Sequence, residues 1–82
     1  MITQGKRVNC PIHELQPCEY TCYKGVFYFR TPDVRLSVGS LAKHCITEHA
    51  DGTITVTPSI LVKQEPVGSW HGYLENGIWR QI

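Results

Sequence analysis

Cys10, His13, Cys18 and Cys22 stand at the spacing C-x2-H-x4-C-x3-C. Zinc takes four nitrogen or sulfur ligands in a tetrahedron, and close Cys/His pairs are the usual way for a loop to supply them. The set is nearly as long as a C-x2-C-x4-H-x4-C zinc knuckle, with His and Cys exchanged. Pro11 and Pro17 stiffen the loop and lower the cost of ordering it. A closed four-ligand site leaves no position for water, so the expected role of the zinc is structural. Cys45, His44, His49 and His71 are alternate ligands. The competing reading is that the thiols are unliganded core residues, as free cysteines often are.

A structural metal suits a chain of 82 residues. That length makes one domain, residues 1–82, with a small core that a metal or disulfides commonly reinforce. The composition, 41% hydrophobic and 18% charged, is that of a folded globule. The net charge is +1 and the basic residues are scattered, so no nucleic-acid footprint is visible. Tyr20, Tyr23, Phe27, Tyr28 and Phe29 cluster near Lys24 and Arg30. A base-stacking platform has that composition, but core strands have it more often. Met1 to Cys10 lacks an apolar stretch, and no run approaches the roughly 20 apolar residues of a membrane span. The expected compartment is the cytoplasm, where thiols stay reduced and bind metals rather than each other. Removal of an earlier signal would reopen the alternative of two disulfides.

The elements that must position these groups are mostly β, with antiparallel strands and hairpins. Residues 8–22 read as the metal-binding loop and residues 23–82 as a β-rich core. Tyr23 to Arg30 is aromatic and β-branched, which predicts a strand. Thr31-Pro32-Asp33 predicts a turn. Val34, Leu36 and Val38 alternate with polar residues, which predicts a half-buried strand. Ser40 to His49 is compatible with a short helix capped by Ser40 or with a ligand-bearing loop. Asp51-Gly52 predicts a hairpin turn, followed by alternation through Ile54 and Val56. Pro58 interrupts before an apolar strand over Ile60 to Val62. Gln64 to Ser69 reads as a loop, Trp70 to Leu74 as a strand, Glu75-Asn76-Gly77 as a second turn, and Ile78 to Arg80 as its return. The total is five or six short strands and at most one short helix.

Two stretches, Asp51 to Leu61 and Gly68 to Trp79, carry a further pattern: Pro58-Ser59-Ile60, then Trp70-His71-Gly72-Tyr73-Leu74, then Asn76-Gly77. In these residues the chain resembles a family of small phage and bacterial domains. There a Pro-Ser-Ile/Leu segment precedes a His beside aromatics and an Asp/Asn-Gly turn, with a Cys-Pro-x-Cys pair upstream. Some relatives lie in bacterial ubiquitin-like conjugation operons, where a peptidase role is associated with the family. The resemblance is loose over residues 10–82 and best over 51–79. Here His13 replaces the second Cys of the upstream pair, and Ser69-Trp70 precedes His71 where relatives often have Cys. An equivalent metal site would therefore be built differently, with Cys45 as a candidate.

If the peptidase role carries over, the resemblance implies Ser59 as nucleophile and His71 as its base, with Asp51 or Glu48 orienting the imidazole. Such a pair must lie within hydrogen-bond reach. No Gly-x-Ser-x-Gly elbow is present. Against this stands the structural reading, in which Ser59 serves a strand end and His71 packs. The favoured expectation is a protein-binding domain with a protein partner and no membrane. Trp70, Tyr73 and Trp79 are the candidate contact residues, since Trp and Tyr anchor many interfaces. The phage members of the family suggest an accessory protein or an inhibitor of a host defence protein.

Overall fold

Along Gly68–Glu75 every second side chain turns inward: Trp70, Gly72 and Leu74 are buried, while Ser69, His71 and Glu75 are exposed. That period-2 burial is the signature of a strand with one wet face. The computed structural model describes residues 2–82. Its strands are β1 (Ile2–Gln4), β2 (Lys6–Arg7), β3 (Glu19–Tyr23), β4 (Val26–Phe29), β5 (Gly39–Ser40), β6 (Cys45–Glu48), β7 (Ile54–Thr57), β8 (Ile60–Gln64), β9 (Gly68–Glu75) and β10 (Ile78–Gln81). The single helical element described is a 3₁₀ turn at Ile12–Glu14.

The strands form a sheet of order β1-β10-β9-β8, a second of order β2-β3-β4-β5, and the hairpin β6-β7. Pairing is antiparallel except between β2 and β3. The mostly β, antiparallel class expected from the sequence is what the chain adopts. One cluster joins the sheets: Tyr20, Phe27 and Phe29 from the second, Ile60, Trp70, Leu74 and Trp79 from the first, and Ile54 and Val56 from the hairpin. Trp79 lies 5.4 Å from Trp70 in a T-shaped contact and 5.8 Å from Phe29. Such aromatic geometries add to simple burial.

The turns explain the strand count. Lys24 and Gly25 have φ of 51° and 82°, and Asn76 and Gly77 have 51° and 75°. Positive φ at both central residues defines the tight turn that matches strand twist. The expected single strand over Tyr23 to Arg30 is therefore the β3–β4 hairpin. At Asp51-Gly52 the expected turn forms, with Gly52 at φ 88° and His49 N–H donating to the Thr53 carbonyl at 2.9 Å.

The strand expected over Val34 to Val38 does not form. Arg30 donates to the carbonyls of Leu15, Val34 and Leu36, and Asp33 accepts from the Arg35 amide. Side chains thus satisfy backbone groups that a ladder would otherwise use. Leu36 is fully buried while Val34 is 70% exposed, so this segment inserts one residue into the core. The helix allowed for Ser40 to His49 is absent as well. Ser40 Oγ accepts from the Ala42 amide, forming a local turn, and Cys45 begins β6.

Candidate functional site

Pro58 separates β7 from β8, and Ser59 leads directly into β8. The pairing of β8 with β9 sets Ile60 opposite Gly72 and Leu61 opposite His71. Ile60 is buried, so Ser59 and Leu61 share the outer face with His71. Ser59 Oγ then lies 3.0 Å from His71 Nε2. The hydroxyl donates to this nitrogen whenever Nε2 carries the lone pair, the arrangement that a base-activated serine requires. Gly72 permits the local packing: a Cβ there would collide with the Arg80 carbonyl and the Trp70 ring.

The rest of a catalytic triad is missing from this place. His71 Nδ1 has no hydrogen-bond partner among the described residues. Asp51 accepts instead from the Thr53 amide and hydroxyl, at 3.0 and 2.6 Å. Glu48 pairs with Arg7 at 3.0 Å. Neither carboxylate orients His71, which corrects the expectation for both. His44 reaches the same neighbourhood from the other side, its Nε2 lying 3.3 Å from the Ser59 carbonyl oxygen. His44 Nδ1 is buried without a partner. Of two shallow hollows, one of about 290 Å³ is lined by Leu15, Arg30, Arg35 and Leu36 among others. The other, of about 180 Å³, is lined by Pro32, Asp33, Trp70 and Gln81. Neither is lined by Ser59 or His71.

The four residues of the knuckle spacing are dispersed. Cys10 lies in a half-buried bend, and His13 on the 3₁₀ turn has its side chain 82% exposed. Cys18 occupies a left-handed position at φ 75° before β3. Cys22 lies inside β3 opposite Phe27, and not in a loop as expected. Among the described residues, no group of three or more His, Cys, Asp or Glu side chains is placed to hold a metal ion. The alternates are separate too. Cys45 is exposed at the start of β6, and His49 Nε2 lies 2.7 Å from Thr55 Oγ1. All four cysteines are free thiols. Desolvation raises the Cys10 and Cys18 thiols above their ordinary range, and the Glu19 carboxylate adds to this at both. Glu14 contributes further at Cys10. Neither is thereby set up as a reactive thiolate.

Trp70 and Trp79, expected as contact residues, are 3% and 0% exposed. Their rings fill the core and present nothing to a partner, which corrects that expectation. Tyr73 alone of the three reaches the surface, half-buried beneath Arg80, whose guanidinium sits 4.7 Å above the ring.

What the sequence reading missed is the face around Tyr73. Ile82 donates its N–H to the His71 carbonyl at 2.9 Å, so His71 lies across the sheet between Leu61 and Ile82. Ile2 stands opposite Arg80, which stands opposite Tyr73. Ile2, Leu61 and Ile82 are 71%, 56% and 66% exposed. The outward positions of the alternating strands β8 and β9 carried the available signal. Reading Leu61 as an outward residue required knowing that Ile60 faces in.

No helix among the described residues is long and apolar enough to cross a membrane. No protein-family model, no curated protein and no solved structure matches the chain.

Proposed function

We propose that this chain is a small protein-binding domain acting through the outer face of the sheet β1-β10-β9-β8. The observation that carries this reading is the exposure of Ile2, Leu61 and Ile82 around Tyr73 and His71 on one sheet face. Grouped aliphatic side chains in water, rimmed by polar ones, are characteristic of interaction sites. Arg80 is already paired with Glu75 at 2.9 Å, while Lys63 on the same face has no carboxylate partner among the described residues. The fitting partner is a protein with an apolar patch and an acidic side chain at its rim. The resemblance to phage domains supports a host protein in that role, with this chain as accessory or inhibitor. A structural zinc in residues 8–22 would require Cys10, His13, Cys18 and Cys22 to come together from the dispersed positions they hold.

The test compares three baits in partner capture. Wild type and Ser59→Ala are expected to capture the same partner, and Leu61→Glu to lose it while keeping its fold. Retention by Leu61→Glu would refute the face as the binding site.

A second reading, hydrolysis by a Ser59/His71 pair of the peptidase type, is favoured by the 3.0 Å contact between them. General-base activation by a positioned histidine is worth about 10²–10⁴ in rate. This reading expects a fluorophosphonate probe to label wild type at Ser59 and to label neither Ser59→Ala nor His71→Ala. Absence of labelling in the folded wild type would remove it.

A further inference from the structure

Backbone hydrogen bonds alternate sides along an antiparallel strand. Ile82 bonds to the His71 carbonyl, so His71, Tyr73 and Glu75 turn their backbone groups toward β10. Trp70 and Gly72 turn theirs toward β8. Ile60 pairs with Gly72, Val62 with Trp70 and Gln64 with Gly68. These three residues of β8 therefore supply its bonds to β9. The N–H and C=O groups of Leu61 and Lys63 point the opposite way, where β8 is the last strand of its sheet. The Ser59 carbonyl points outward too, and His44 Nε2 lies 3.3 Å from it, in agreement with that direction. No such partner meets Leu61 or Lys63 among the described residues.

We propose that this open edge pairs with β8 of a second copy, antiparallel about a two-fold axis at Val62. In that register Leu61 stands opposite the partner's Lys63, and Lys63 opposite the partner's Leu61. Both are pairs of the kind that exchange two backbone bonds, and every free donor and acceptor at the two positions finds its complement. The register also keeps the two Lys63 ammonium groups diagonal to each other, where direct opposition would be repulsive. An isologous contact of this kind closes at two chains. At the next outward position, Ser59, the carbonyl already has His44 Nε2 at 3.3 Å, which bounds the pairing segment at that end. The opposite edge of the sheet, β1, is short among the described residues, Ile2–Gln4, which disfavours growth beyond the dimer. The dimer leaves the outer face open and sets two copies of it side by side. It requires only the edge, and stands whether or not that face binds a partner.

The experiment is sedimentation of the whole chain from micromolar to millimolar concentration, with amide hydrogen exchange read at both ends of the range. A monomer–dimer equilibrium is expected. The Leu61 and Lys63 amides should be protected in the dimer and exchange freely on dilution, while Val62 stays protected throughout. Lys63→Pro removes an outward N–H without touching the β9 ladder, and it leaves Leu61 in place on the face. It should raise the dimer dissociation constant roughly 30-fold through two lost hydrogen bonds. A monomer at millimolar concentration overturns the proposal. So does a dimer whose Leu61 and Lys63 amides exchange freely, or an edge that takes up only extended peptides of other sequence. Should Lys63→Pro fail to fold, exchange in the wild type decides the matter.

Discussion

Asp33 shows what a single side chain contributes to this domain. Its carboxylate accepts from Arg35 Nε at 3.0 Å, from Nη2 at 2.7 Å and from the Arg35 amide at 3.0 Å. These bonds hold its pKa at about 2, below the ordinary 3.8. A carboxyl depressed on folding stabilises the protein above its unfolded pKa, and that stabilisation is lost as pH falls through the folded value. Urea midpoints are therefore expected to fall between about pH 4 and pH 2, and Asp33→Asn is expected to flatten part of that decline. Asp51, lowered by its bonds from Thr53, contributes in the same sense. The cysteines give a second prediction at this scale. With Cys10, His13, Cys18 and Cys22 where they stand, chelation should leave the β-sheet circular dichroism intact. One zinc per chain in native mass spectrometry, with unfolding on chelation, would mean that residues 8–22 rearrange around the ion.

At the scale of elements, the hairpin β9–β10 has the most exacting local requirement. Gly77 sits at φ 75°, and a Cβ there would meet Thr53 Cγ2 at 2.9 Å. It also donates its N–H to the Ile54 carbonyl at 3.0 Å, tying this turn to β7. Gly77→Ala should cost roughly 1–2 kcal/mol, from the left-handed backbone and the close contact together, measured as a shift in urea midpoint at constant slope. Gly25 has a similar φ of 82° but nothing within reach of an added Cβ. Gly25→Ala should therefore cost less, and the difference between the two variants reports the packing at Gly77.

For the whole molecule, Trp79 joins both four-stranded sheets. Its ring is fully buried, and its Nε1–H donates to the Cys18 carbonyl at 2.9 Å across the core. Trp79→Ala should cost about 3–5 kcal/mol, a large part of the stability of a small domain. Trp79→Phe retains most of the apolar area and loses this bond, while the Cys18 carbonyl still accepts from the Lys6 amide at 3.1 Å, so the lost bond should cost about 0.5–1.5 kcal/mol. Thermal unfolding of the two variants against wild type separates the packing contribution from the hydrogen bond.

Local residue patterns were enough for the β class, the turns at Asp51-Gly52 and Asn76-Gly77, and the strand chemistry of Ile54 to Val56 and Trp70 to Leu74. Each depends on a few neighbouring residues: a left-handed position that favours glycine or asparagine, or an alternation of period two. Tertiary structure decided the rest. Alternation does not say which face meets the core, so it could not place Trp70 inward and Leu61 outward. The Val34 to Val38 pattern yielded to hydrogen bonds from Arg30, fifteen residues after the Leu15 carbonyl that it also binds. The cysteine spacing describes ligands that a loop can bring together, yet Cys22 is committed to β3 by its pairing with β4. Ser59 and His71 meet because the register of β8 on β9 sets them on one face, and that register is a property of the sheet.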